Sequence, residues 1–283
     1  MSKWRLQLPA RVSHKGQNGR VLIVGGSKLF HAASLWSAQM AAHLVDMVFY
    51  ASTSENNELV RLAKSNFSDG IVIEREQIMD YAREAEVILV GPGMTRGTKR
   101  PAELAKILAK NATLTGKQWQ DDTYLITNGL LHSLAGKKFV LDAGALQLLE
   151  IKYLTNQCIL TPHQGELALL QEQARSEIEK DKLAQATILS KNITDEVWHD
   201  GQCVAQITGG NQGLTKGGSG DVLAGLVAGL ACYNESAVAC YWASRTLKKA
   251  AETLYQDYGP FFTTTQLGQQ VPRTLWQLIN KDA

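Results

Sequence analysis

Short apolar runs rich in β-branched residues recur along this chain, separated by longer stretches whose apolar positions return every three or four residues. RVLIVGG, MVFYAST, GIVIER, EVILVGPGM, TYLITNG, KFVLDAG, CILTPH and QATILSK read as strands, several of them closing on glycine. AASLWSAQMAAHLV, RPAELAKILAKNAT and GELALLQEQARSEIEKDKLA read as helices between them. Continuously apolar strands alternating with helices predict a largely parallel sheet covered on both faces. After QATILSK the pattern changes. EVWHDGQCVAQIT predicts a hairpin turning at Asp200-Gly201, and ESAVACYWASRTLKKAAETLYQDYG predicts a long amphipathic helix. With no linker, low-complexity tract or internal repeat in view, residues 1–283 are expected to form a single α/β domain.

Composition narrows the function classes. At 283 residues, 45% hydrophobic and 20% charged, the chain can build a sizeable core without metal or disulfide support. A formal net charge of +2 gives no basis for a polyanion-binding surface, so no nucleic-acid partner is expected. Cys158, Cys203, Cys232 and Cys240 form no C-x-x-C pair and read as reduced core thiols of a cytoplasmic protein. MSKWRLQLPARVSHKG has no apolar core of a signal peptide, and DVLAGLVAGLAC is too short to span a bilayer, so no membrane partner is expected. The six tryptophans show no spacing that suggests base stacking and read as packing residues.

Ligands of open parallel sheets sit beyond the carboxyl ends of the strands. GGSKLF, GPGM, LDAG, LTPHQGE and GGSGD all fall at strand ends or helix starts, so they are expected to converge on one cleft. The densest of them lies in NQGLTKGGSGDVLAGLVAGL, residues 211–230. It is no Walker A loop, because Ser219 stands where the lysine belongs, and no dinucleotide fingerprint, because Asp221-Val222-Leu223 follow the glycines. Its physics is still that of an anion site. Gly217, Gly218, Ser219 and Gly220 leave the backbone almost bare just where a helix begins and its first N–H groups lack partners. Asp221 then reads in two ways: as a helix N-cap, or as a general base taking the proton of an alcohol while the loop stabilises a transferring phosphoryl group. Glu166, Asp142 and Lys191 have plain readings too, as a first-turn acid, a local backbone partner and a solvated lysine; His163, after Thr-Pro, reads as a turn or capping residue.

These motifs resemble a family. GGSGDVLAG is similar to the signature of ribokinase-like enzymes. In order, VLIVGGSKLFHAA, VGPGM, LDAGAL, LTPHQGE and GNQGLTKGGSGDVLAG resemble the motifs of ADP/ATP-dependent NAD(P)H-hydrate dehydratases, over about residues 15–275. The resemblance implies a ribokinase-like three-layer sandwich, a mostly parallel sheet with helices on both faces. It implies repair of hydrated NADH or NADPH: ADP or ATP phosphorylates the C6 hydroxyl, and phosphate then leaves as the ring nitrogen pushes electrons in. Mg²⁺ is expected with the nucleotide. By resemblance, Asp221 is the catalytic aspartate and Gly220 contacts nucleotide. Lys191, Asn192, Ile193, Thr194 and Asp195 take the place of a segment that binds its AMP part, with Gly217, Gly218 and Ser219 completing the site. His163, Ala33 and Gly93 are placed beside the hydrated nicotinamide, and Asn211 opens the turn ahead of the anion loop. Relatives are often homo-oligomers, tetramers among them. No fused epimerase domain is visible, so a separate epimerase is expected to act on the same substrate.

The chain departs from the family pattern at Thr95, Gly144, Asn192 and Lys216. Thr95 adds a side chain where a glycine approaches ligand, and Gly144 removes an acid. Asn192 replaces a glycine at a turn where φ > 0 would be tolerated, and Lys216 adds charge expected to favour a bound phosphate. Two alternatives stay open on the residues alone: a ribokinase-like kinase of a small alcohol, such as a vitamin precursor, and a nucleotide-binding protein without turnover.

Overall fold

The computed structural model describes residues 3–63, 67–96 and 123–282. The helix expected over RPAELAKILAKNAT lies outside them. Among the described residues, nine strands form one sheet in the order β3-β2-β1-β4-β5-β6-β7-β8-β9. They are β1 (Arg20–Val24), β2 (Met47–Ala51), β3 (Gly70–Val72), β4 (Val87–Val90), β5 (Lys138–Leu141), β6 (Cys158–Leu160), β7 (Thr187–Ser190), β8 (Asp195–His199) and β9 (Gln202–Ile207). β3 through β7 pair in parallel, and β8 and β9 close the edge antiparallel. The final turn carries φ +49° at Asp200 and +71° at Gly201, the left-handed pair of a two-residue hairpin loop.

Alternate strand residues feed two cores. Val21, Ile23, Val87, Leu89, Val140 and Ile159 face one helical layer; Leu22, Val24, Ile88, Val90, Leu141 and Leu160 face the other. Full burial on both faces is why these strands read as unbroken apolar runs. The first layer holds α1 (Ala32–Ala42) and three later helices: α8 (Ser219–Ala231), α9 (Ser236–Tyr258) and α10 (Thr264–Asp282). α3 (Ile78–Glu84), α4 (Thr123–Ser133), α5 (Gly144–Leu148), α6 (Gln164–Gln173) and α7 (Glu177–Gln185) back the second. A shorter helix, α2 (Ser54–Leu62), lies between β2 and β3.

Two local expectations are corrected. TYLITNG is the start of helix α4, not a strand; Thr123 through Leu131 are buried, and β4 pairs directly with β5, leaving no slot between them. A short apolar run buried all round carries no period that separates helix from strand. The long helix expected from Gly165 to Ala184 is two, because Ser176 caps α7 in a reciprocal box with Glu179. The thiols are free, but Cys203 is exposed on the edge strand β9 rather than in the core. Among the described residues no helix is long and apolar enough to cross a membrane.

α8 is buried over almost its whole length. A Cβ on Gly225 would lie 2.4 Å from the Ser37 carbonyl oxygen, and one on Gly229 would lie 2.6 Å from Leu44. The small residues of this helix therefore let α1 pack backbone-close across it. Ser37 Oγ adds a 2.8 Å hydrogen bond to the carbonyl of Asp221, which fixes the start of α8 over the sheet.

Candidate active site

The strand order reverses between β1 and β4, and the turns leaving these two strands meet. Gly26 N–H donates to Pro92 O at 2.7 Å. Gly93, at φ +71°, is so close to α1 that an added Cβ would stand 2.9 Å from both the Ala33 Cβ and the Phe30 carbonyl. Ala33 and Gly93, 60 positions apart in sequence, thus form one surface beyond the sheet. Next to it, the Gly144 position would place a Cβ 2.7 Å from Met94 O. The missing acid is thereby accounted for: a side chain here would push the GPGM turn away. Thr95 is turned to α4, where its hydroxyl lies 3.1 Å from that of Thr123.

The glycine loop 217–220 runs directly into α8. Gly218 has φ +99°, and a Cβ there would stand 2.4 Å from the Trp36 ring, so only glycine fits. Among the described residues the N–H groups of Gly217, Gly218, Gly220 and Asp221 donate to no protein acceptor. Four free amides at the positive end of a thirteen-residue helix make a nest for an anion. Ser219 serves the loop instead: its hydroxyl donates to Leu214 O at 2.6 Å and Lys216 O at 3.0 Å. Lys216 is corrected as well. Its ammonium is spent on the carbonyls of Pro260, at 2.8 Å, and Phe262, so it braces the chain behind the loop rather than charging its lip.

Asp221 is in the first turn of α8, but Gly218 is the cap, and the Asp221 carboxylate makes no hydrogen bond among the described residues. The capping reading is therefore set aside. Burial, reinforced by the carboxylate of Asp142 and opposed by Lys191, lifts Asp221 to about 7. A carboxyl poised near neutrality beside an anion nest is suited to general-base work.

Lys191 is the positive counterpart. Its Nζ donates to Asp142 Oδ1 at 2.7 Å and stands 3.5 Å from where a Cβ on Gly220 would be. Burial works against the ammonium. Asp142, by charge and hydrogen bond, outweighs it with help from Glu166 and Asp221 and holds the Lys191 pKa above its usual value. Asp142 is buried at the end of β5 and also accepts from Thr161 Oγ1 at 2.8 Å. Both plain readings thus give way: the strand-end acid and the strand-end lysine are each other's partners.

His163 caps α6. Its Nδ1 accepts from Glu166 N–H at 3.2 Å while Glu166 Oε2 accepts from His163 N–H at 3.0 Å, so the turn reading holds for both residues. With Nδ1 occupied as an acceptor, the neutral ring carries its proton on Nε2. The ring remains about half exposed and lines the same cavity as Lys191, a space of roughly 780 Å³ that also reaches Ile193, Asn211, Ser219 and Gly220.

Within the 191–195 segment the roles divide. Ile193 is exposed, and Asn192 requires no left-handed backbone, since among described non-glycine residues only Ala143 and Asp200 have positive φ. Asp195 is buried: its carboxylate accepts from Asn192 N–H at 2.8 Å and Ser244 Oγ at 2.7 Å, so it shapes the segment from beneath. Asn211 likewise spends its amide inside the protein, accepting from Gly213 N–H and donating to Ala251 O, and offers backbone to the cavity. Lys248, which lines the cavity from α9, is a residue the sequence reading missed.

Residues 21–273 match the family model Carb_kinase, described as NAD(P)H-hydrate dehydratase. The chain belongs to this family. It is 28% identical over 275 residues to the bifunctional NAD(P)H-hydrate repair enzyme Nnr of Methanocaldococcus jannaschii, covering 93% of this chain and 49% of that protein. With the bifunctional repair enzyme of Leishmania major it is 31% identical over 244 residues, covering 78% and 42%. The chain therefore spans about half the length of these relatives. Its fold is that of a ribokinase-like superfamily protein from Enterococcus faecalis, at TM-score 0.71 and 22% identity over 96% of this chain and 92% of that one. A Bacillus subtilis ADP/ATP-dependent NAD(P)H-hydrate dehydratase co-crystallised with ATP/Mg²⁺ matches at TM-score 0.66 and 22% identity, over 96% and 93%. This family member thus has the ribokinase-like sandwich that its motifs imply.

Proposed function

We propose that the chain dehydrates hydrated NADH or NADPH, using ADP or ATP to activate the leaving hydroxyl. Beyond family membership, one observation carries the reading: an unbonded Asp221 carboxylate, raised to about 7, starts the same helix as four free amides. That pairing suits phosphorylation of an alcohol. The nucleotide occupies the cavity between the 191–195 segment and the glycine loop, with its terminal phosphoryl group on the nest and Lys191 beside it. The hydrate lies over Ala33 and Gly93 and extends toward His163, whose ring lines the nucleotide cavity and offers an Nε2–H donor. Asp221 takes the C6 hydroxyl proton as the oxygen attacks the terminal phosphorus and the P–O bond to the rest of the nucleotide breaks, releasing AMP from ADP or ADP from ATP, while Lys191 and the amides hold the charge that develops. The C6–O bond then breaks, phosphate departs with the bonding pair, and the ring nitrogen's lone pair forms the C6=N bond. Loss of a proton from C5 restores the C5=C6 double bond.

Among the described residues no group of three or more His, Cys, Asp or Glu is arranged to hold a metal. A magnesium ion brought with the nucleotide would be held by its phosphates and by water and would neutralise phosphate charge.

The test is recovery of 340-nm absorbance when NADPH hydrate is mixed with the protein, Mg²⁺ and ATP or ADP. Recovery with wild type and none with Asp221→Asn supports both the reaction and the base. If wild type binds nucleotide yet restores nothing, the dehydratase reading falls, and phosphorylation of small alcohols becomes the reaction to screen.

A further inference from the structure

The nucleotide cavity is walled by two segments, 191–195 leading into β8 and 209–212 following β9. Their strands pair at Asp195 and Ile207, but beyond that pair residues 191–194 and 209–212 exchange no backbone hydrogen bond. Both are tied to α9. Ser244 Oγ donates to Asp195 at 2.7 Å. Ala251 O accepts from Asn211 Nδ2 at 2.8 Å, and Glu252 Oε1 accepts from Gly210 N–H at 3.1 Å. Tyr255 OH takes a hydrogen bond from Gln212 at 3.2 Å. Positions 244, 248, 251, 252 and 255 repeat at helical spacing, so they form a single stripe of polar contacts along one face of α9, Ala251 through its carbonyl and the others through side chains.

Lys248 is the centre of that stripe. It is 4% exposed. Its Nζ reaches Ile193 O at 2.8 Å, Asn192 O at 3.1 Å and Gly209 O at 3.4 Å, with Asp195 Oδ1 at 3.4 Å. One ammonium therefore gathers carbonyls from both walls and a carboxylate beneath one of them. Without it the three carbonyls would lose their shared donor, and beyond the Asp195–Ile207 pair the two walls would lose this link.

We propose that Lys248 is a positioning residue for nucleotide binding: it sets the spacing of the two cavity walls without itself being spent on the reaction. This rests on the reading of the cavity as the nucleotide site. It assigns affinity for the nucleotide to a side chain on a helix outside every motif of the family signature. The reacting groups, Asp221 and Lys191, are held by other contacts, to Ser37 and Asp142, so the stripe governs binding more than chemistry.

The test is titration of Lys248→Met with a fluorescent ADP analogue, beside steady-state kinetics. The expected result is a nucleotide Kd and KM raised about tenfold or more, a much smaller fall in kcat at saturating nucleotide, and an unchanged KM for the hydrate. A lowered melting temperature with unchanged Kd makes Lys248 a core-stabilising residue only and overturns the proposal. So does an equal rise in both KM values. If Lys248→Met does not fold, Ser244→Ala removes one support of Asp195 and should weaken the analogue by about threefold; an unchanged Kd there overturns the proposal. Because the analogue titration needs no turnover, it separates the two readings. A wild type that binds it in a Lys248-dependent way yet dehydrates nothing overturns the dehydratase alone, and a wild type that does not bind it overturns this inference.

Discussion

The two walls of the cleft are built by different means. On the Ala33–Gly93 side, backbone meets backbone: Gly26 bonds Pro92, and Gly93 and Gly144 each leave too little room for a Cβ. On the Lys191–Asn211 side, side chains span the gap: Lys248 of α9 gathers carbonyls of 192, 193 and 209, and Asn211 donates back to Ala251 O of the same helix. The first wall is rigid because it lacks side chains, and the second because it is clamped by them. A fixed shape suits a substrate whose ring must be held against the base.

Where the walls meet, Asp221→Asn should have the largest effect, a loss of roughly 10²- to 10⁴-fold in kcat, the span of a general base. The same change should stabilise the protein in alkali. The folded carboxyl titrates near 7 against an ordinary value of 3.8, so between those values the folded state keeps a proton that the unfolded chain has lost. Wild-type stability therefore falls as pH rises from 4 to 7 and stays lowered above. Asn has no such loss. Thermal melts should show the variant more stable than wild type at pH 8, with the gap closing toward pH 4; equal melting temperatures at pH 8 would mean that the carboxyl is not raised.

Next in size is Gly93→Ala, which separates the walls most directly. At φ +71°, with its new Cβ 2.9 Å from Ala33 and Phe30, the alanine should cost about 1–3 kcal/mol. It should raise KM for the hydrate and leave nucleotide affinity near wild type, the mirror image of Lys248→Met. If both variants move the same KM, the division of the cleft into two independently held walls is wrong.

How much of this was legible in the sequence follows the same division. Glycine-dense turns announce backbone proximity, so GGSKLF, GPGM and GGSGD pointed to the cleft before any fold was known. Unbroken apolar strands gave the parallel sheet in the same way. What stayed hidden depends on distance. Lys248 lies in a helix read only as amphipathic, 56 residues from the carbonyl of Asn192. Asp142 and Lys191 are 49 residues apart and show no local sign of pairing. Lys216 sat beside the glycines in sequence, yet its ammonium reaches back to carbonyls at 260 and 262. Adjacency in sequence places a backbone well and the tip of a long side chain poorly. TYLITNG failed for another reason: a run buried on every side carries no period to read.

The Asp142–Lys191 pair yields the subtlest prediction, because Asp142 acts on the base through charge alone. Asp142 raises Asp221 by repulsion between carboxylates, while Lys191 lowers it. Asp142→Asn removes the repulsion and also frees Lys191 from its 2.7 Å partner, leaving Glu166 and Asp221 as the acids that act on the ammonium. Both changes favour the ionised base. The acidic limb of kcat/KM, set near 7 in wild type, should therefore move to lower pH, so the variant keeps relatively more of its activity at pH 6 than at pH 8. Its activity at pH 8 should still fall, because an untethered Lys191 no longer stands beside Gly220 to meet the phosphoryl group. A pH–rate profile distinguishes this from damage to the fold, which lowers rates at every pH and leaves the limb in place. A limb that stays near 7 in Asp142→Asn would mean that burial alone sets the base, and that the strand-end acid serves only to hold the lysine.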